Sequence, residues 1–134
     1  MPTQIVVAAA LIDNGTLLVA QRLRPPRLAG RWELPGGKVA RGETERAALA
    51  RELAEELGVE AGDVWVGERL GADVALNAAM TLRAYRVRLL AGEPHPHDHG
   101  ALRWVTAAEL PDLDWVSADR EWLGALTEAL TADR

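Results

Sequence analysis

Residues 37–59 read GKVARGETERAALARELAEELGV, a glycine turn followed by a stretch whose spacing predicts a helix with its charges on one side. With Glu52 at the origin and about 100° per residue, Glu45 falls at about +20°, Glu56 at about +40° and Glu55 at about −60°. Leu49, Leu53 and Leu57 gather between about +60° and +140°, with Ala50 and Ala54 just beyond, so an apolar stripe runs beside a carboxylate stripe. Gly58, directly after Leu57, supplies the stop expected at a helix C-terminus.

Two readings fit the acidic stripe: a solvated face, or a face that holds a cation. Solvated faces usually interleave signs at i and i+4. Here Glu52 and Glu56 form an i,i+4 like-charge pair with Glu55 at i+3, and glutamates occupy the last turn, where the helix dipole disfavours anions. The pattern favours a cation. Ligands that are all oxygen point to a hard ion, Mg²⁺ or Mn²⁺.

The 134 residues suffice for one domain, 1–134, with a core that needs no staples. The chain contains no cysteine, which excludes disulfides and thiolate metal sites. The apolar run Ile5–Ile12 stops at Asp13, too short for a membrane span and without a cleavage pattern, so a cytoplasmic protein is expected, with no membrane partner. A formal charge of −5 argues against a nucleic acid polymer as partner. A polyphosphate would have to be drawn in by a metal and a few placed cations. A monomer is expected, with a dimer left open. Lys38 is the only lysine; coding bias towards arginine explains its rarity as well as function does.

Outside the helix, residues 4–12 and 16–20 are apolar and β-branched, with the hairpin signal Asp13-Asn14-Gly15 between them. Their near-continuous apolar character suggests strands covered on both faces. Residues 24–31 read as an irregular loop, Trp32–Leu34 as extended chain, and Pro35-Gly36-Gly37 as a tight turn. Residues 63–74 and 80–90 read as strands, 92–100 (GEPHPHDHG) as a turn-rich loop, and 101–105 as a short strand. Thr106 with Glu109 forms a capping-box pattern. Residues 117–130 predict one amphipathic helix, capped by Ser117, with Trp122, Leu126 and Leu130 on its apolar face. Helices on both sides of the strands give an α/β/α sandwich around a mixed β-sheet.

At this point the chain resembles a known family. Gly37, five residues, Glu43, seven residues, then Arg51-Glu52-Leu53-Ala54-Glu55-Glu56-Leu57-Gly58-Val59 matches the Nudix box at every defined position. The flank Trp32-Glu33-Leu34-Pro35-Gly36-Gly37-Lys38 looks like the MutT branch of nucleoside triphosphate pyrophosphohydrolases. The resemblance implies the Nudix α/β fold and Mg²⁺-assisted attack of water on a nucleoside triphosphate. It assigns Glu52, Glu55 and Glu56 as metal ligands, in agreement with the stripe, and the Gly37 carbonyl as another. Arg51 would orient a metal-binding glutamate by a salt bridge. Glu43 would be a supporting carboxylate, although its placement also suits the helix dipole. Arg22 and Lys38 would contact phosphate. Asp98, six residues before Trp104, stands where the family often has a glutamate that serves as auxiliary ligand or base. His95, His97 and His99 alternate beside it. They would suit a transition metal, or simply an exposed, proline-broken loop.

The resemblance also implies a base pocket walled by Ile5, Val7, Leu34 and Met80, with Glu33 beside them, and a specifying residue at Asp119. A carboxylate only accepts hydrogen bonds, which suits the exocyclic amine of cytosine, though guanine N1 and N2 donors fit as well. The expected function is therefore hydrolysis of a nucleoside triphosphate to the monophosphate and pyrophosphate, leaning to CTP, dCTP and 5-methyl-dCTP, in sanitation of the nucleotide pool. An 8-oxo-dGTP diphosphatase is the main rival. A catalytically dead nucleotide sensor is a third reading, disfavoured because every box carboxylate is kept. No proline occurs between Val59 and Pro94 and Asn77 replaces a tyrosine, which disfavours ADP-ribose and dinucleoside polyphosphates.

Overall fold

The strand β1 (Gln4–Asp13) turns through Asn14 and Gly15, both with positive φ, into β2 (Thr16–Gln21). This is the geometry that Asn-Gly favours in a two-residue hairpin. A computed structural model of the chain describes residues 3–133. In it, β1 is the axis of a mixed sheet. Along one edge it pairs in parallel with β6 (Met80–Leu89), which pairs antiparallel with β5 (Val64–Ala75). Along the other edge β1 pairs first with β4 (Gly36–Lys38) and then, near its end, with β2. β2 in turn carries β3 (Trp32–Glu33) and β7 (Ala101–Val105). Pro35-Gly36-Gly37 was expected as a tight turn, but Gly36–Lys38 is a short strand, because its backbone completes the free edge of β1.

The period-2 alternation of β1 divides the core in two. Val7, Ala9 and Leu11 face helix α1 (Glu45–Leu57) and pack with Leu49, Leu53 and Leu57. Ala8, Ala10 and Ile12 face the opposite layer, where Leu110, Trp115, Trp122, Leu126 and Leu130 are buried. These come from 3-10 turns at Ala107–Asp112 and Ser117–Trp122 and from helix α2 (Leu123–Ala132). The result is the α/β/α arrangement expected from the sequence. No helix among the described residues is long and apolar enough to cross a membrane.

The chain from 117 to 130 departs from the single helix expected. Ser117 makes no capping bond; the segment first winds as a 3-10 turn after Val116 and becomes α-helical only from Leu123. The cause lies upstream. Trp32 N–H donates to the Asp114 carbonyl and Val116 N–H to the Trp32 carbonyl, holding 114–116 against β3. The tight turn that follows buries Asp119 instead of exposing it. The Thr106–Glu109 capping box is present, on a 3-10 turn.

Candidate active site

Helix α1 starts on the Thr44 hydroxyl, which accepts from Ala47 N–H at 3.1 Å, and ends at Gly58 in the left-handed region (φ 69°). Just before it, Glu43 is fixed by its own turn, accepting from Ala40 N–H at 2.9 Å. Arg51 reaches back one face of the helix. Its Nε and Nη2 donate to both oxygens of Glu43 (2.7 and 2.9 Å), Nη1 to Glu52 Oε1 (3.0 Å) and Glu55 Oε1 (3.4 Å), and Nη2 to the Lys38 carbonyl (3.2 Å). The Arg51 hydrogen bonds, with that from Ala40, hold the Glu43 carboxyl down at about 2. The same carboxylates push the Arg51 guanidinium further up, so it stays charged. This fork relieves the repulsion among the glutamates.

Glu45, which the helical wheel placed on the same stripe, lies outside this group. It accepts from Arg83 at 2.8 Å and from the Tyr85 hydroxyl at 2.6 Å over β6. Seven positions, about two turns of helix, separate it from Glu52 and place it at the N-terminal end of α1.

Glu52 folds over β4, its carboxyl lying where a Cβ on Gly37 would stand. Any larger residue at 37 would displace it. Glu56 is buried, and its Oε2 has no hydrogen-bond partner. Burial, reinforced by Glu52, Glu33 and Asp98, pushes its carboxyl up to about 9, while the Gly36 N–H works in the opposite direction.

The loop of residues 92–100 closes the end of α1. The His95 and His97 N–H groups donate to the carbonyls of Leu57 and Glu56, satisfying two of the helix's open acceptors. Gly100 N–H donates to the Gln21 carbonyl. Pinned at both ends, the loop turns His99 inward while His95 and His97 stay exposed. His99 is therefore not the loop-exposed histidine expected. It is buried, with Nε2 at 3.0 Å from Glu33 Oε2 and 3.7 Å from Glu56 Oε1, and Nδ1 without a partner. Nothing in the sequence singled it out from its two neighbours. Its 66-residue separation from Glu33 is closed only by the loop's tethers.

Two cavities meet at this point. One, of about 380 Å³, is lined by Glu52, Glu55, Glu56, Asp98 and His99 together with Arg22, Arg24 and Glu33. The other, of about 410 Å³, is lined mainly by Val6, Ala8, Leu34, Met80, Leu82 and Asp119, with Lys38 and Gly37 at its edge. Arg22, Glu33 and Gly36 border both. The first is acidic with two arginines at its mouth. The second is largely apolar with one buried carboxyl, the composition of a small-molecule pocket.

The structure corrects several expectations. Ile5 does not wall the second cavity: it lies on the α1 side of β1 and borders a separate recess with Val39, Thr44 and Glu45. Val7 borders the cavity while its side chain packs in the α1-side core; the pleat presents Val6 and Ala8 instead. Glu33 has both oxygens engaged, Oε1 with Arg22 Nη1 at 2.8 Å and Oε2 with His99, so its carboxylate is committed to these two side chains before it could meet a base. Asp98 reaches the first cavity but is exposed and paired with Arg24 Nη2 at 2.7 Å. Asp119 is buried; its Oδ2 accepts from Leu34 N–H at 2.8 Å. Burial, with help from Glu33, pushes its carboxyl up to about 7 against the Leu34 N–H and Arg22.

Among the described residues, no three His, Asp or Glu side chains surround a common point as an ion requires. Arg51 spans Glu52 and Glu55, and His99 sits beside Glu56. The donor set nonetheless fits a hard divalent cation. It is all carboxyl oxygen, Glu56 lines the acidic cavity and its buried Oε2 has no partner, and Gly37 leaves the space that Glu52 occupies.

Known proteins resemble this chain along most of its length. A family model described as the NUDIX domain matches residues 2–126. A Mycobacterium tuberculosis protein provisionally named 8-oxo-dGTP diphosphatase 2 is 68% identical over 130 residues, 97% of this chain and 92% of the other. Escherichia coli CTP pyrophosphohydrolase is 39% identical over 131 residues, covering 96% of this chain and 94% of the relative. The solution structure of the E. coli ORF135 protein superposes with a TM-score of 0.80 at 35% identity, over 100% of this chain and 94% of that one.

Proposed function

Given that this chain belongs to the Nudix family of hydrolases acting on acid anhydrides, we propose that it is a Mg²⁺-dependent nucleoside triphosphate pyrophosphohydrolase with a preference for cytidine nucleotides. The products are the nucleoside monophosphate and pyrophosphate. The observation that carries this reading is the junction of an acidic cavity and an apolar one at Arg22 and Glu33. It suits a ligand with a polyphosphate at one end and a base at the other.

Glu52, Glu55 and Glu56 would hold the ion, with the Gly37 carbonyl beside them. When bound, Mg²⁺ (or Mn²⁺) neutralises polyphosphate charge and lowers the pKa of a water that attacks phosphorus. The chain's own residues do the rest. Arg51 keeps Glu52 and Glu55 in one orientation through its fork on Glu43. Arg22 and Lys38, at the junction, would bind phosphate oxygens. Asp98, once released from Arg24, is near enough to the acidic cavity to accept a proton or bind a further ion.

Base choice falls to Asp119. With Oδ2 held by Leu34, Oδ1 of Asp119, a residue that lines the cavity, would be left to accept from the cytosine N4 amine when ionised. Leu34, Leu82 and Met80 supply apolar walls for the ring. The name of the M. tuberculosis relative keeps 8-oxo-dGTP as the second reading, since guanine N1 and N2 also donate. Working on free nucleotides as a cytoplasmic monomer, such an enzyme would balance or sanitise the nucleotide pool. Initial rates on CTP, dCTP, 5-methyl-dCTP, 8-oxo-dGTP and dGTP at fixed Mg²⁺ test the preference. Cytidine nucleotides are expected to lead; if both guanine nucleotides outpace every cytidine nucleotide tenfold, the reading of Asp119 is wrong.

A further inference from the structure

We propose that His99 is a positioning residue that aims Arg22 at the substrate through Glu33. Three contacts form a line across the junction of the two cavities: His99 Nε2 to Glu33 Oε2 at 3.0 Å, Glu33 Oε1 to Arg22 Nη1 at 2.8 Å, and Arg22 Nε to the Arg24 carbonyl at 3.0 Å. The nearer neighbour of His99 Nε2 is an oxygen of Glu33, a carboxylate already paired with Arg22, so this nitrogen carries the hydrogen. A ring nitrogen has one N–H to give, and the shorter contact directs it to Glu33. That bond fixes the rotation of the Glu33 carboxyl, and the other oxygen then fixes the guanidinium. Without His99 the Glu33 carboxyl would keep only Arg22, itself held by one bond to the Arg24 carbonyl, and the carboxyl and guanidinium would be free to rotate about that single tie. His99 itself is buried and held on a loop tied at 95, 97 and 100, so it is a rigid anchor for the line.

This inference rests on the phosphate-binding role proposed for Arg22. It makes a distinctive demand on two conservative variants. His99→Gln places an amide nitrogen near the position of Nε2, whereas His99→Asn places it near Nδ1 and leaves Glu33 without a donor. H99N should raise KM for the preferred nucleotide about tenfold and weaken binding of its non-hydrolysable α,β-methylene analogue, read by calorimetry with Mg²⁺, by a similar factor. kcat should stay within about threefold. H99Q should restore both values to within about threefold of wild type. Because His99 acts through Arg22, H99N added to Arg22→Gln should change analogue binding less than twofold beyond R22Q alone.

The inference is overturned if H99N lowers kcat with KM unchanged, if H99Q and H99N behave alike, or if H99N and R22Q are additive. Should H99N fail to fold by thermal melting, Glu33→Gln is the second arm, since it removes the pivot and keeps the histidine. E33Q must then weaken analogue binding as R22Q does, and unchanged binding sinks the proposal. Failure of the functional reading shows separately, as a wild-type protein that binds the analogue but hydrolyses no nucleoside triphosphate.

Discussion

The N–H of Leu34 and the carboxyl of Asp119, 85 residues apart, share a 2.8 Å hydrogen bond inside the wall of the apolar cavity. The bond engages Oδ2 and leaves Oδ1 without that partner, and burial holds the carboxyl near 7, well above its ordinary 3.8. A carboxyl raised in the fold contributes stability that is fully present below its unfolded value. That stability is lost as pH rises through the folded one.

The first consequence concerns stability without ligand. Across pH 4 to 7 the wild type should lose stability relative to Asp119→Asn, by about 4 kcal/mol at most. Asn keeps an acceptor for Leu34 N–H but has nothing to ionise. Thermal melts of both proteins in EDTA across this range check it. Parallel curves would show that Asp119 does not titrate there.

The second concerns substrate. Below pH 7 the free Asp119 oxygen carries a proton and donates; above it, it accepts. KM for a cytidine nucleotide should therefore fall about tenfold between pH 6 and 8 in the wild type. In D119N it should stay flat over the same range. Steady-state kinetics at saturating Mg²⁺ decide this, with D119N correcting for titration of the nucleotide itself.

That Asp119 is buried was not legible in the sequence, and the reason separates what was readable from what was not. The α1 stripe, the Asn-Gly hairpin and the Gly58 stop rest on chemistry within a few residues, and each took the form expected except that Glu45 left the stripe for Arg83 and Tyr85. Ser117 followed by an amphipathic run has the same local signature, yet Trp32 holds residues 114–116 as an extended strap and the first turn tightens. The His99–Glu33 and Arg24–Asp98 pairs depend on loops that meet across 66 and 74 positions of chain. No periodicity encodes such meetings. Ile5 was misplaced for a different reason: the family pattern names a strand, and the pleat decides which of its residues face the cavity.

Glu56 carries a prediction about metal removal. With its carboxyl near 9 in the fold against an ordinary 4.5, its contribution to stability is lost as pH rises between those values. In EDTA the wild type should melt progressively lower from pH 5 to 9, and Glu56→Gln should melt above it at pH 8. Adding Mg²⁺ should stabilise the wild type far more than E56Q, because the ion binds the ionised form. Turnover of E56Q should fall by about a thousandfold or more, roughly 4 kcal/mol of lost transition-state stabilisation. A variant that keeps wild-type turnover would remove Glu56 from the metal site.

Arg51 tests orientation without touching a ligand. Arg51→Lys preserves charge but cannot span Glu43, Glu52 and Glu55 with one planar fork. Turnover and Mg²⁺ affinity should each drop about 10- to 100-fold, with the melting temperature little changed. Glu43→Gln should lose less, since Arg51 keeps Glu52 and Glu55. Equal losses in both variants would mean that the Glu43–Arg51 pair acts as one unit.

Gly36 and Gly37 stand side by side in β4 and should fail for different reasons. A Cβ on Gly36 would overlap the carbonyl oxygen and Cα of the β1 backbone at Val7 and Ala8, which cannot move without opening the sheet. Gly36→Ala should therefore fold poorly, with a lowered melting temperature whether or not metal is present. The nearest atoms to a Cβ on Gly37 would be those of the Glu52 carboxyl, the far end of a flexible side chain. Gly37→Ala should fold and melt near wild type in EDTA, because Glu52 can swing away. It should lose Mg²⁺-dependent stabilisation and turnover together, since the displaced carboxylate no longer lies over the strand. Melts with and without Mg²⁺ distinguish the two. If G37A gains as much from Mg²⁺ as the wild type, the position of Glu52 over β4 is not what the ion requires.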